Sequence, residues 1–198
     1  VERLREFKRK LSSPPAKKSE SCFLEDISMR SNFSKDAYIK AVLKAKEHIK
    51  CGDIYQVNLS QRFEAQIDVD PFDLYSHLRK ASPAPFSAYL GFGDVAILSS
   101  SPERFLLKNG DYIETRPIKG TRPRGADPKS DAILAKELLK SEKDRAEHVM
   151  IVDLERNDLG QVCEFGSVRV TEMLELESHP QVHHLVSTVE GTLRGDVD

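Results

Sequence analysis

The stretch RPIKGTRPRG, residues 116 to 125, sets one lysine, Lys119, between a proline and a glycine, just after an alternating, strand-like run. A lysine amine attacks an electrophile only in its neutral form, so it becomes a nucleophile where burial or a neighbouring cation disfavours the ammonium. The same residue type serves equally as a solvated surface charge. The local pattern admits both roles.

Further chemistry-bearing residues follow downstream. EKDRAEHVMIVDLERNDLG places Asp144 and Glu147 three apart on a helical pattern, hence on one face. Two such carboxylates can hold a hard cation, directly or through water, or can simply be solvated. At the end of the run, Asp153, Arg156, Asn157 and Asp158 read as a self-bonded network closing the helix at Gly160. His183 and His184 precede LVSTVEG, and neighbours in a strand face opposite ways, so at most one enters any given site. Glu103, in SSSPERF, follows a proline at a strand start and is either an edge glutamate or an acid. GTRPRG offers two arginines suited to a small carboxylate, but lacks the GxxxxGK[ST] spacing of a nucleotide loop.

The elements that would position these residues are legible in outline. Leu4, Phe7 and Leu11 suggest the end of a helix, and SSPPAKKSESC, residues 12 to 22, a polar linker. Ser34 caps a helix closed by Gly52, with Ala37, Ala41, Ala45 and Ile49, flanked by Tyr38 and Val42, as its buried stripe. DIYQVNLSQRFEAQI, residues 53 to 67, alternates like a strand with one polar face carrying Gln56 and Asn58. Pro71 opens a short helix, and Asn109-Gly110 marks a hairpin. Helices over 129–139 and 142–157 and strands over 166–176 and 184–193 complete the series. Helices interleaved with mostly antiparallel strands imply a mixed α/β (α+β) fold, not a doubly wound one.

Composition removes several function classes. Thirty basic residues against thirty-two acidic give a net charge of −2, with no basic excess for a nucleic acid. No apolar run approaches the roughly 18 residues of a membrane span. Cys22, Cys51 and Cys163 match neither a zinc spacing nor a disulfide framework, and the charged opening VERLREFKRK is not a signal peptide. A reducing, cytoplasmic setting is the expectation.

Taken together, GDIYQVNLSQRF, SSSPERFL, PIKGTRPRG, AEHVMIVDLERNDLG and VHHLVSTVEG resemble the chorismate-utilising enzymes, in the family's order and over residues 32–196. The resemblance implies a two-sheet sandwich with outer helices. Residues 1–31 would be the tail of an N-terminal portion and residues 32–198 a C-terminally incomplete catalytic domain. It implies that Glu147 binds a Mg²⁺ ion holding a chorismate carboxylate, with Asp144 an outer acidic residue. His184 would line the pocket beside the departing hydroxyl, Glu103 act as general acid or base, and Thr121 touch substrate.

Two positions separate the family's branches. Lys119 is similar to the lysine of aminodeoxychorismate synthases (PIKGTR), where anthranilate synthases have alanine. Gln56 stands where the water-adding members carry a lysine base, and an amide cannot take water's proton. The resemblance therefore implies amination of chorismate at C4, with ammonia from a glutamine amidotransferase. Amination by an anthranilate synthase and a non-catalytic binding module are the alternatives.

Overall fold

The computed structural model describes residues 2–12 and 27–197, so Cys22 and nearly all of the expected linker lie outside the described residues. Two compact units divide the chain, Val1–Asp73 and Leu74–Asp198.

In the first unit, helix α1 (Glu2–Ser12) is followed by strand β1 (Arg30–Ser31), helix α2 (Lys35–Cys51) and strand β2 (Phe63–Glu64). The ends of α2 are those its sequence demands. The Ser34 side chain accepts from Ala37 N, and Gly52 closes the helix at φ 80°. Its apolar stripe is not buried as expected: Tyr38, Ala41, Val42 and Ala45 are half-buried, while Ala37 and Ile49 are exposed. The strand expected over 53–67 shrinks to β2, because a strand needs a paired neighbour and, among the described residues, only β1 supplies one, through Arg30↔Glu64 and Ser31↔Phe63. Tyr55, Val57 and Phe63 stay exposed, so the alternation corresponds to no buried face.

Helix α3 (Pro71–Ala81) starts at the expected proline, with Asp70 Oδ1 accepting from Phe72 N at 2.9 Å. The second unit then forms a two-stranded sheet from β3 (Phe86–Phe92) and β4 (Val95–Ser101). Its main body comprises β5 (Arg104–Asn109), β6 (Tyr112–Arg116), β7 (Ile118–Pro123), helices α4 (Pro128–Lys140) and α5 (Glu142–Val162), β8 (Arg169–Ser178) and β9 (Val182–Thr192). The hairpin joining β5 to β6 pairs Asn109 with Tyr112, so its central residues are Gly110 and Asp111, with Gly110 at φ 60°. Architecture with helices, antiparallel strands and several sheets agrees with the mixed fold class.

Strand β9 is the axis of the larger sheet. One edge pairs with β6 and then β7, the other with β8, all antiparallel. Along β9, side chains alternate. Leu185, Ser187 and Val189 turn toward the helices, and Val189 shares a core with Ile113, Val152, Leu159, Cys163 and Leu193. Thr188 and Glu190 turn the other way, into a polar network with Arg116, Glu172, Tyr112 and Arg169. Helix α5 does not stop at Gly160. It runs on to Val162 because Leu159 and Cys163 are buried in that core, which outweighs the roughly 1 kcal/mol that a helical glycine costs. Of the group expected to bond at its end, Arg156 pairs with Asp153 at 3.0 Å.

Candidate active site

Strands β6 and β7 are one strand bent at the buried Pro117, which has no N–H to give a ladder but whose carbonyl accepts from Ser187 N at 3.2 Å. Beyond the bend the register slips. Ile118 faces Val186 and Thr121 faces His184, three steps on β7 against two on β9. The extra residue makes a bulge, and Lys119 and Gly120 occupy it. Bulges re-aim side chains beside active sites. Gly120 is needed there twice over: its φ is 88°, and a Cβ would lie 3.0 Å from Leu138 Cδ1 and 3.1 Å from Asp144 Cβ.

The other expected residues of this unit gather around the bulge. Glu103 Oε1 accepts from Ile118 N at 2.8 Å, which fixes its carboxylate one residue before Lys119. Thr121 Oγ1 lies 3.0 Å from His184 Nδ1. His184 is buried, and burial, then the His179 ring beside it, lower its pKa below the ordinary histidine value. His183 faces the opposite way, as strand alternation requires. Its ring bonds Asp131 Oδ1 at 3.0 Å and Ser178 Oγ at 2.8 Å. Asp131 in turn grips Arg124 and Gly125 N, which pins the end of the loop that follows β7.

Asp144 sits in the first turn of α5 beside Arg122, with Arg122 Nη2 at 3.0 Å from its carboxylate. A hydrogen bond with Ser141, followed by that guanidinium, lowers its pKa. Glu147 is half-buried one turn along and makes no hydrogen bond or ion pair among the described residues. Those residues contain no cluster of three or more His, Cys, Asp or Glu able to hold a metal. Glu147 is thus a carboxylate left open to a hard cation. Gln56 belongs to the first unit, where it is half-buried with its Oε1 shielded and without a hydrogen bond.

Two residues of the site escaped the sequence reading. His148 is fully buried, with Nδ1 3.2 Å from the Lys119 carbonyl oxygen and Nε2 2.7 Å from Ser187 Oγ. Burial is the main cause that lowers its pKa, opposed by the hydrogen bond to the Lys119 carbonyl, reinforced by the Lys119 charge and opposed again by Glu103. Glu155 accepts from Thr115 Oγ1 at 3.0 Å. Burial first, then the Glu103 charge, raises its pKa against the pull of Thr115 and Lys119. The charges of Lys119 and Glu103 thus both reach His148 and Glu155. An amine, an acid fixed beside it and a second carboxyl inclined to keep its proton form a set suited to nucleophilic addition with proton transfer. His148 lies inside a recognised motif, but only the fold shows what it touches.

The pattern of the chorismate binding enzyme family matches residues 2–198. The chain belongs to that family. Among curated relatives it is 51% identical over 164 residues to anthranilate synthase component 1 of Thermus thermophilus, covering 83% of this chain and 36% of that protein. It is 47% identical over 171 residues to aminodeoxychorismate synthase component 1 of Bacillus subtilis, covering 86% and 36%. Among solved structures, anthranilate synthase component I from Streptococcus pneumoniae superposes with a TM-score of 0.86 at 34% identity, over 99% of this chain and 43% of that one. The chain spans about a third of the length of these curated relatives. None of its described helices is long and apolar enough to cross a membrane.

Proposed function

We propose that the protein containing this chain aminates chorismate at C4, giving 4-amino-4-deoxychorismate, as an aminodeoxychorismate synthase component 1. The observation that carries the reading is Lys119 in the β7 bulge, beside the Glu103 carboxylate. In this reading the neutral Lys119 amine adds to C2 of the substrate. Electrons shift through the ring, and the C4 hydroxyl leaves as water with a proton from Glu103. Ammonia then adds at C4 and passes its surplus proton back to the Glu103 carboxylate, the electrons return, and the C2–N bond breaks to release Lys119 as the neutral amine. A tethered nucleophile divides one hard displacement into two easier ones. A glutamine amidotransferase would supply the ammonia.

His184 and Thr121 would line the substrate pocket, with His184 neutral at pH 7. Glu147 would help to hold a Mg²⁺ ion, which when bound neutralises the substrate carboxylate. Asp144, occupied by Arg122, would act in the outer shell. Gln56 is an amide without acid–base capacity, which disfavours addition of water.

A second reading, anthranilate synthase component 1, is favoured by the 51% identity to the Thermus thermophilus protein of that name. Product identification after incubating the full-length protein with chorismate, ammonia and Mg²⁺ separates the two. Aminodeoxychorismate is expected; direct accumulation of anthranilate without it would reject the first reading.

A further inference from the structure

We infer that His148 is a positioning residue that aims Lys119. The inference rests on the reading of Lys119 as the nucleophile. As a bulge residue, Lys119 lies outside the paired register of β7 with β9. Its carbonyl is met instead by an imidazole projecting from α5.

The directions of these hydrogen bonds follow from what each group can do. A carbonyl only accepts, so His148 Nδ1 carries the proton it donates to Lys119 at 3.2 Å. Nε2 of the neutral ring is then an acceptor, filled by the Ser187 hydroxyl at 2.7 Å. Ser187 Oγ itself accepts from Leu174 N at 3.0 Å. Met173 Sδ, at 3.5 Å, is the weaker and more distant alternative for the serine proton. The result is a directed line from Leu174 N–H through Ser187 and His148 to the Lys119 carbonyl.

That line joins two irregular places on opposite edges of β9. At one end is the Lys119 bulge of β7. At the other, β8 slips register between Glu172 and Glu175, and Leu174 takes a φ of 58°, the positive-φ residue other than glycine among those described. Ser187 stands between the two edges, completely buried, as is His148. Every member uses its donor and acceptor capacity toward the next. Side chains placed merely to fill the core would not need such matching. The backbone of Lys119 is fixed from below by His148, while Glu103 fixes the preceding N–H.

Two substitutions separate aiming from filling. Asparagine sets an N–H at the place of Nδ1 and keeps the donor to Lys119 but loses Ser187. Glutamine is closer to histidine in bulk and reaches Ser187, but loses the donor to Lys119. In the full-length protein assayed with chorismate, ammonia and Mg²⁺, His148→Gln should lose kcat on the order of 100-fold, the scale of a small misplacement of a reacting group. His148→Asn should lose less than about tenfold, and KM for chorismate should change little in either. Ser187→Ala, a small change that keeps the fold within reach if both others fail to express, should also lower kcat because the ring loses its anchor. Equal kcat in the asparagine and glutamine variants, or a wild-type kcat in Ser187→Ala, overturns the role of His148 and leaves the nucleophile standing. Wild-type protein that makes anthranilate alone overturns the reading of Lys119, and the inference with it.

Discussion

The carboxylate of Glu103 accepts a hydrogen bond from the backbone N–H of Ile118 at 2.8 Å, one residue before Lys119. A single side chain therefore secures the start of β7, and in the proposed reaction the same carboxyl group serves the leaving hydroxyl as its acid. Glutamine can accept the same N–H bond but has no proton to give. Glu103→Gln should keep thermal stability to within about 1 kcal/mol, the net worth of one hydrogen bond. Turnover should fall by about 10²–10⁴, the usual contribution of a general acid. Calorimetry together with a chorismate turnover assay checks both, and near-normal turnover would remove Glu103 from the chemistry.

Gly120 shows how tightly the bulge is held. With φ at 88° and a Cβ position 3.0 Å from Leu138 Cδ1, Gly120→Ala combines backbone strain with a clash. The strain alone should cost roughly 1–3 kcal/mol. Gly110→Ala is the control, since its φ is 60° but a Cβ there meets nothing within 4 Å. Chemical denaturation should rank Gly120→Ala clearly below Gly110→Ala, and the reverse order would contradict the packing around the bulge.

Histidine protonation sets a pH dependence of stability. His148 and His184 both have pKa values lowered mainly by burial. The unfolded chain then binds protons that the folded one refuses, so stability is full above about pH 6.5 and falls as the pH drops through that value. Glu155, whose pKa is raised by burial, works in the opposite sense, losing stability as pH rises above the ordinary carboxylate value. Urea midpoints should therefore fall between pH 7.5 and 5.5, and fall further in Glu155→Gln, which lacks the opposing group. A midpoint that rises on acidification would contradict the neutral state of the two buried rings.

The free carboxylate of Glu147 and the occupied one of Asp144 predict different metal phenotypes. Glu147→Gln should raise the Mg²⁺ concentration needed for half-maximal turnover by about tenfold or more, since even the loss of an outer-shell partner costs that much. Asp144→Asn should shift it less, because Arg122 already engages that side chain at 3.0 Å. Magnesium titrations of both variants after chelator treatment make the comparison. Equal shifts would mean that Asp144 leaves Arg122 to bind the ion.

Local physics made much of this fold readable before any coordinates. Ser34 and Gly52 bound α2 because capping is a matter of a few adjacent residues, and His183 and His184 face opposite ways because strands alternate. What depended on distant partners was not readable. Among the described residues, 53–61 carry a strand's alternation but pair with no neighbouring strand, and the apolar stripe of α2 has no complete cover. Lys119, Glu103, Thr121, His184, Asp144 and Glu147 were visible as motifs. The bulge that holds Lys119 was not, since it arises from a register between strands some 65 residues apart, nor was His148, whose two partners come from different strands.

In the proposed reaction Lys119 becomes covalently attached to substrate. The direct measurement is mass spectrometry of the full-length protein quenched with chorismate and Mg²⁺ in the absence of ammonia. A substrate-derived mass is expected on the peptide containing Lys119, lost in Lys119→Ala and in Lys119→Arg, whose guanidinium keeps the charge but is no nucleophile. An unmodified peptide in the wild type, with full amination activity retained by Lys119→Arg, would contradict it and return this lysine to the role of a surface charge.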